Sequence, residues 1–300
     1  DIISVGPGEA VLLTDDAKQA IDRADAVWCA ARHAVLVPPE KARPLSPLEG
    51  AIEQMRLSSN AGQSAAVLVS GDAGLYSLLE MLKRKIGGEY LRVHPGVSAL
   101  QLFAARLGVS WQDAKILSAH GRALSESALC HAVRTHRQTF CFLDAAHNPA
   151  WVRESLNLGG LENVRLFVGE RLSYPDERTE AYDPDATYDP LCMAYIENDA
   201  PESGLPPVGL SDEAFIHGKT PMTKRDVRAL VVSALHLKPN GVVWDIGAGT
   251  GSVSVECARQ CPLGEVYAVE MKDEALDLIR RNAERFHALN LRVVPGRALE

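Results

Sequence analysis

Three hundred residues, 46% of them hydrophobic, can fill two ordinary cores, and 23% charged residues with 17 prolines spread along the chain give no sign of disorder. A net charge of −8 with no run of Lys and Arg argues against a nucleic-acid partner, and no apolar stretch approaches the roughly 18 residues of a membrane span. Six cysteines without a C-x-x-C, and a start that lacks a basic region followed by an apolar one, read as reduced structural thiols in a cytoplasmic protein of two domains.

Ile2 to Val5 are strand-like and lead into Gly6, Pro7 and Gly8, after which Thr14 is placed to cap a helix carrying Ala17, Ala20 and Ile21. Ala26 to Cys29 and Ala65 to Ser70 are two further strands. The latter runs into Gly71-Asp72-Ala73-Gly74 and a helix from Leu75 to about Ile86. Tyr90 to Val93 reads as a strand, Pro95-Gly96 as a turn and Ser98 to Leu107 as a helix. This alternation predicts an α/β fold, a parallel sheet with helices on its faces. After Arg122 the pattern suggests a second lobe: a helix near Glu126 to Arg134 and strands at Thr139 to Leu143, Val164 to Gly169 and Leu191 to Ile196.

Asn198 to Ser211 is rich in Pro, Gly and Ser without a hydrophobic period, so the domain boundary falls there. Beyond it, Thr223 is placed to cap a helix from Lys224 to about Leu235. Val242, Val243, Trp244 and Ile246 form an apolar run fit for a strand buried on both faces, ending in glycines 247, 249 and 251 and a helix from Ser252. Ligands of such sheets sit beyond the carboxyl ends of the strands, where these glycines lie. The next strand, Glu265 to Glu270, ends in an acid 23 residues after Gly247, which makes Glu270 the candidate for ribose hydroxyls. The spacing is G-x-G-x-G, with Ser252 where a dinucleotide fingerprint wants its third glycine. Asp245 would oppose a pyrophosphate but suits the ammonium of a methionine moiety, so the pattern favours S-adenosylmethionine over NAD. Cys257 and Cys261 lie one helical turn apart with no other ligand group near them in sequence, so no metal is expected.

Asp245 to Gly251, DIGAGTG, resembles the first motif of class I methyltransferases, and Pro221 to Glu256 is similar to the decarboxylating methyltransferases of cobalamin biosynthesis. The amino-terminal loops resemble the class III tetrapyrrole methyltransferases. The motifs that carry this are VGPG at Val5 to Gly8, LTDDAKQAI at Leu13 to Ile21, SGDAGLYS at Ser70 to Ser77, HPGVSA at His94 to Ala99, and Leu107 to Arg122. Two positions depart from that pattern: Ser4 stands in place of the usual first glycine of the opening loop, and Ala73 in place of the proline that commonly follows Gly-Asp. The resemblance implies a two-lobed class III domain over 1–200, with lobes of about 1–112 and 113–200. A linker over 201–211 and the amino-terminal part of a Rossmann-like class I domain over 212–300 would follow. Because a class I sheet needs more strands than 212–300 supplies, the sequence is expected to be a piece of a longer polypeptide, leaving a sheet edge and an apolar face without partners.

The same resemblance implies S-adenosylmethionine between the class III lobes, touched by Pro7, Gly8, Gly71, Asp72, Leu75, Tyr76, Val97, Ser98, Phe142 and Leu143. In the class I part it implies Thr223, Asp245, Gly247, Ala248, Gly249, Thr250, Gly251, Glu270 and Ala298, with S-adenosylhomocysteine as product. The expected activity is methylation of a precorrin at two meso carbons with loss of carbon dioxide from an acetate arm, by a homo-oligomer. No catalytic residue is assigned, because a sulfonium methyl is already electrophilic and needs mainly alignment. The substrate is a polyanion, so local cations must reverse the field of an acidic protein; His120, Arg122, Lys219 and Lys224 are the candidates. Two alternatives stand beside this: an RNA methyltransferase, which would need a basic face, and a nucleoside-binding scaffold without turnover.

Overall fold

A computed structural model describes residues 1–7, 12–121 and 123–297. The elements in order are β1 (Ile2–Ser4), α1 (Asp15–Arg23), β2 (Ala26–Cys29), β3 (Ala42–Pro44), α2 (Leu48–Asn60), β4 (Ala65–Val69), α3 (Leu79–Ile86), β5 (Val93–His94) and α4 (Ala99–Leu107). They continue as β6 (Lys115–Ser118), α5 (Glu126–Thr135), β7 (Gln138–Phe142), α6 (Pro149–Leu158), β8 (Arg165–Glu170), β9 (Arg178–Ala181) and β10 (Cys192–Glu197). The last are α7 (Arg225–Ala234), β11 (Val242–Ile246), α8 (Ser252–Gln260), β12 (Glu265–Glu270), α9 (Asp273–Arg285) and β13 (Leu291–Pro295). The chain divides into two compact units: Asp1–Gln112 with Val168–Glu180 and Thr187–Met193, and Asp113–Phe167 with Ala181–Ala186 and Ala194–Glu300.

In the first unit the strands of a five-stranded sheet, in the order β3-β2-β4-β1-β5, pair in parallel. Successive strand residues point to opposite faces, so alternate residues feed separate cores. Ile3, Val27 and Leu68 pack with Ala17, Ala20 and Ile21 of α1, while Ile2, Trp28, Val67 and Val69 pack with Ala51, Ile52 and Met55 of α2 and Leu82 of α3. Both faces are therefore covered, and the neighbouring strands β2 and β4 are apolar throughout. Thr14 accepts from the Ala17 amide as the α1 cap. Ser98 and Gln101 form a reciprocal capping box at α4.

Two expectations need correction in this unit, and two elements were not expected. The helix after Gly71 starts at Leu79, because Tyr76 takes a left-handed φ of 50° that no helix accommodates. The strand expected over 90–93 is β5, Val93–His94, preceded by a 3-10 turn at Gly88–Tyr90. The helix α2 and the short strand β3 carried no signal that was recognised.

In the second unit β6 and β7 pair in parallel, and the strand order of their sheet is β6-β7-β10-β8-β9. The unrecognised helix α6 has a legible start: Asn148 accepts from the Trp151 amide and Pro149 follows it. A separate parallel sheet, β11-β12-β13, packs α8 and α9 through Val255, Val266, Ala268, Ile279 and Leu291. The strand β11 is not buried on both faces. It lies at an edge, with Val242, Trp244 and Ile246 at 64%, 60% and 51% exposure, and Trp244 stacks on its cross-strand partner Tyr267 at 4.6 Å. Among the described residues nothing covers that face. Thr223 does not cap α7; Lys224 occupies that position without a side-chain bond.

Arg228 of α7 is fully buried. It donates to Glu256 Oε1 at 3.1 Å, Asp212 Oδ1 at 3.3 Å and the carbonyls of Thr223 and Leu210, and lies over the Phe215 ring. Glu256, equally buried, also accepts from the amides of Gly209 and Leu210. A buried charge is tolerated only when paired in this way, and removing one partner strands the other. Arg228→Met should lower stability in urea denaturation by about 3 to 5 kcal/mol, and Arg228→Met with Glu256→Gln should recover part of that loss. Equal losses in the single and double variants would show that the pair is not the source.

Candidate functional site

The first unit brings three loops together at the carboxyl ends of β4, β1 and β5, which are neighbours in the sheet. Gly6 and Gly71 exchange backbone hydrogen bonds, Gly71 N to Gly6 O at 2.6 Å and Gly6 N to Gly71 O at 3.2 Å, both in the left-handed region that suits glycine. Asp72 then ties the second loop to the third. Its Oδ1 accepts from Gly74 N at 2.8 Å and its Oδ2 from Gly96 N at 3.3 Å. Gly71 and Ser98 are close: a Cβ on Gly71 would lie 3.9 Å from Ser98 Cα. A Cβ on Gly6 would lie 3.4 Å from the Val97 carbonyl oxygen. Leu75 closes a turn onto the Asp72 carbonyl, and both Leu75 and Tyr76 are half-buried. Tyr174, which sequence reasoning missed, donates from its hydroxyl to the Pro7 carbonyl at 3.0 Å. Gly8 lies outside the described residues.

The two departures from the family pattern meet in space. Ser4 Oγ accepts from Ala73 N at 2.9 Å, a buried bond between positions 69 apart. A proline at 73 would have no N–H to give, and a glycine at 4 no hydroxyl to receive it. Each substitution makes sense only beside the other. Gly96 allows the close packing of this corner, since a Cβ there would lie 2.7 Å from Ser4 Cβ.

His33, 1% exposed, was also missed. Its Nε2 accepts from Arg32 Nε at 3.2 Å and lies 2.8 Å from Ser70 Oγ, directly before Gly71, while its Nδ1 has no partner. Burial, with the Arg32 charge added, pushes its pKa down to about 4.

The second unit holds a further loop, between β11 and α8. Glu270 at the end of β12 accepts from Gly249 N at 3.0 Å through Oε2, and from Met271 N at 2.8 Å and Lys272 N at 3.1 Å through Oε1. Burial alone would raise its pKa; the three amide donors outweigh this and hold it below the usual carboxylate range. Asp245 accepts from Ser254 Oγ of α8, and its pKa is raised by burial first, with the Glu270 charge adding to it. Gly247 N and Ala248 N donate to the Val269 carbonyl, fixing the loop to β12. A Cβ on Gly251 would lie 3.1 Å from Ile279, and Thr250 Oγ1 is buried without a partner. Asn282 of α9, missed from sequence, donates to the Thr250 carbonyl and exchanges bonds with the backbone of Ile216. The segment around Thr223 comes near, because a Cβ on Gly249 would lie 3.5 Å from the Pro221 carbonyl oxygen. The Thr223 side chain is exposed and its carbonyl goes to Arg228.

Phe142 and Leu143 follow β7 in the second unit; Leu143 is buried and Phe142 half-buried, with the Phe142 carbonyl accepting from Ala119 N. His120, after β6, is exposed. Lys219 is exposed, and Lys224 lies 3.8 Å from Asp212, so part of its charge is already answered. Arg122 and Ala298 lie outside the described residues. All six cysteines are free and buried, and burial pushes the Cys257 thiol up to about 12. Among the described residues no group of three His, Cys, Asp or Glu could hold a metal.

The chain is an α/β protein of two units with loop systems at the carboxyl ends of parallel strands, the position at which ligands of such sheets bind. The family model for tetrapyrrole (corrin/porphyrin) methylases matches residues 2–183, and that for the precorrin methyltransferase domain matches residues 213–300. The chain therefore belongs to the tetrapyrrole (corrin/porphyrin) methylases. It is 32% identical over 311 residues to the precorrin-6Y C(5,15)-methyltransferase [decarboxylating] of a Sinorhizobium species, covering 99% of this chain and 73% of that one. Its last part is 46% identical over 90 residues to the cobalt-precorrin-6B C(15)-methyltransferase (decarboxylating) of Salmonella typhimurium, covering 30% of this chain and 47% of that one. In fold, it is similar to uroporphyrin-III C-methyltransferase of Thermus thermophilus, solved with S-adenosylhomocysteine. That likeness has a TM-score of 0.53 at 18% identity, over 65% of this chain and 95% of that one.

Two outcomes follow from the first-unit geometry. Ser4→Gly should cost about 1 to 3 kcal/mol by leaving the Ala73 amide unpaired, and adding Ala73→Pro should restore most of it. Additive losses in thermal melts would refute the compensation. For His33, the unfolded ring gains a proton near pH 6.5 while the folded ring stays neutral to about pH 4. Stability therefore falls as pH drops through that window. His33→Gln should remove about 1 to 2 kcal/mol of the loss between pH 7 and pH 5, measured by urea denaturation.

Proposed function

We propose that this chain uses S-adenosylmethionine to methylate a precorrin at two meso carbons, the class III domain acting on one. The class I domain removes carbon dioxide from an acetate arm and methylates the other. The observation that carries the reading is the Glu270 carboxylate, held by three amides at the end of β12 beside the Gly247 to Gly251 loop. Of the roughly four lone-pair positions of a carboxylate three are taken, which leaves one on Oε2 for a ribose hydroxyl. The residues present suit this ligand. Asp245 and Glu270 together disfavour a pyrophosphate and favour a cationic amino acid moiety, nothing lies within 4 Å of where a Gly247 Cβ would be, and the buried Thr250 hydroxyl lacks a partner. In the class III domain the corresponding holders are the loops of Pro7, of Gly71 to Tyr76 and of Val97-Ser98.

S-adenosylmethionine supplies a methyl group on a sulfonium, already electrophilic. The protein's part is to hold that donor and the substrate carbon about 3 to 3.5 Å apart, in line, and to exclude water. Fixed loops serve that purpose better than any acid or base. The reading divides the chain into a class III domain over 1–200, a linker over 201–211 and a class I part over 212–300. Among the described residues no helix is long and apolar enough to cross a membrane, and the free, buried cysteines support a cytoplasmic setting.

Calorimetry with S-adenosylmethionine on the whole chain should find two sites. Glu270→Ala should weaken one by about 1 to 3 kcal/mol, and Asp72→Ala the other by a similar amount. An unchanged isotherm in either variant, or a loss matched by an equal fall in ligand-free melting temperature, would remove that residue from cofactor binding. Radiolabel from the methyl group should pass to a precorrin and not to total RNA.

A further inference from the structure

Within the second unit, a cavity of about 370 Å³ opens where α5, the 202–206 segment, the end of α8 and the 285–290 segment face one another. Its charged lining is three arginines, Arg134, Arg259 and Arg285, against the single carboxylate of Glu202, in a chain whose net charge is −8. Glu202 is only partly available to answer them: its Oε1 lies 3.7 Å from Arg134 Nε, while Arg134 Nη2 donates to the Gly159 carbonyl. Arg259 Nη1 is buried and has no hydrogen-bond partner. Buried guanidinium N–H groups are almost always paired, so an orphan one that lines a cavity points to a ligand. The Arg259 pKa lies below its ordinary value because burial disfavours the charge, with Glu256 and Glu202 offsetting this only in part. An anion beside it would remove that penalty.

The walls are built rather than loose. The His287 ring sits so close over Gly160 that a Cβ there would approach it to 2.6 Å, and His287 Nδ1 donates to the Leu158 carbonyl at 2.8 Å. Ser127 Oγ donates to the Pro262 carbonyl at 2.7 Å across the same seam. Since a carbonyl can only accept, Nδ1 of His287 carries the proton of that bond.

We propose that this cavity is an oxyanion-binding site, for carboxylate or phosphate groups, with Arg259 as its central donor and Arg134 and Arg285 beside it. None of its lining residues belongs to either candidate cofactor loop system, and the proposal does not depend on the methyl-transfer reading. At this volume it takes a small polyanion whole, or one acidic arm of a larger molecule. Two sources share that chemistry, a free small anion and a carboxylate arm of a macrocycle.

The test is calorimetric titration of the whole chain with inorganic phosphate, with tricarballylate and with the octacarboxylate uroporphyrin I, at low and high salt. At least one probe should bind the wild type, and Arg259→Gln should weaken it about tenfold, the equivalent of one charge-assisted hydrogen bond. Arg285→Gln, on an exposed residue, should weaken it in the same direction, and Arg281→Gln, which removes an equal charge outside the cavity, should not. Phosphate or tricarballylate binding that depends on Arg259 assigns a free anion; uroporphyrin binding alone assigns an arm of a macrocycle. Thermal melts establish that each variant is folded, and Arg285→Gln carries the test if Arg259→Gln is not. No binding by any probe, or equal affinities across the wild type and the folded cavity variants, overturns the proposal.

Discussion

Where a parallel strand ends, its ladder of hydrogen bonds ends too, and the backbone N–H groups of the following loop must find another acceptor. Every candidate loop in this protein depends on how that need is met. Ser4 takes the Ala73 amide, Asp72 takes those of Gly74 and Gly96, Asp144 takes those of Ala146 and His147, and Glu270 takes those of Gly249, Met271 and Lys272. The solution recurs in sheets of unrelated sequence because the geometry that creates the unpaired donors is the same.

The consequence for chemistry is preorganisation. A loop whose amides are held by a carboxylate does not need to be ordered when a ligand arrives, so binding is spared that entropy cost. The carboxylates also bring negative charge to the mouths of the loops, at Asp72 in the first unit and at Asp245 and Glu270 in the second. A ligand with a cationic centre gains there, and one with a pyrophosphate loses. Burial first, and then the charge of Glu270, raise the Asp245 pKa, and a cation placed between the two acids would work against that shift.

Charge is distributed against the overall balance. Two guanidinium groups stand out: Arg228, fully buried and locked onto Glu256 and Asp212, and Arg259, half-buried, with one buried nitrogen that lacks a partner. The first is closed and structural, with its donors spent on the 209–223 segment. The second retains an unspent donor beside open space. Satisfaction of hydrogen bonds, more than charge itself, separates a clasp from a site.

The sequence by itself determined the alternation of strand and helix, the Thr14 and Ser98 caps, the glycine loop at 247–251 and the acid at 270, because each is a local pattern with a local cause. Helix α6 was legible in the same way, from Asn148-Pro149, and was passed over. Only the tertiary structure decided that β11 is an edge strand, since an apolar run is equally compatible with one or two covered faces, and that α3 starts after Tyr76, whose left-handed backbone has no sequence signature. It also decided which polar residues serve the loops. Ser4 and Ala73 are 69 positions apart, Arg228 and Glu256 are 28 apart, and the arginines of the cavity come from three separate segments. Such pairings are made by packing the apolar faces of the elements, and no window along the chain contains both partners.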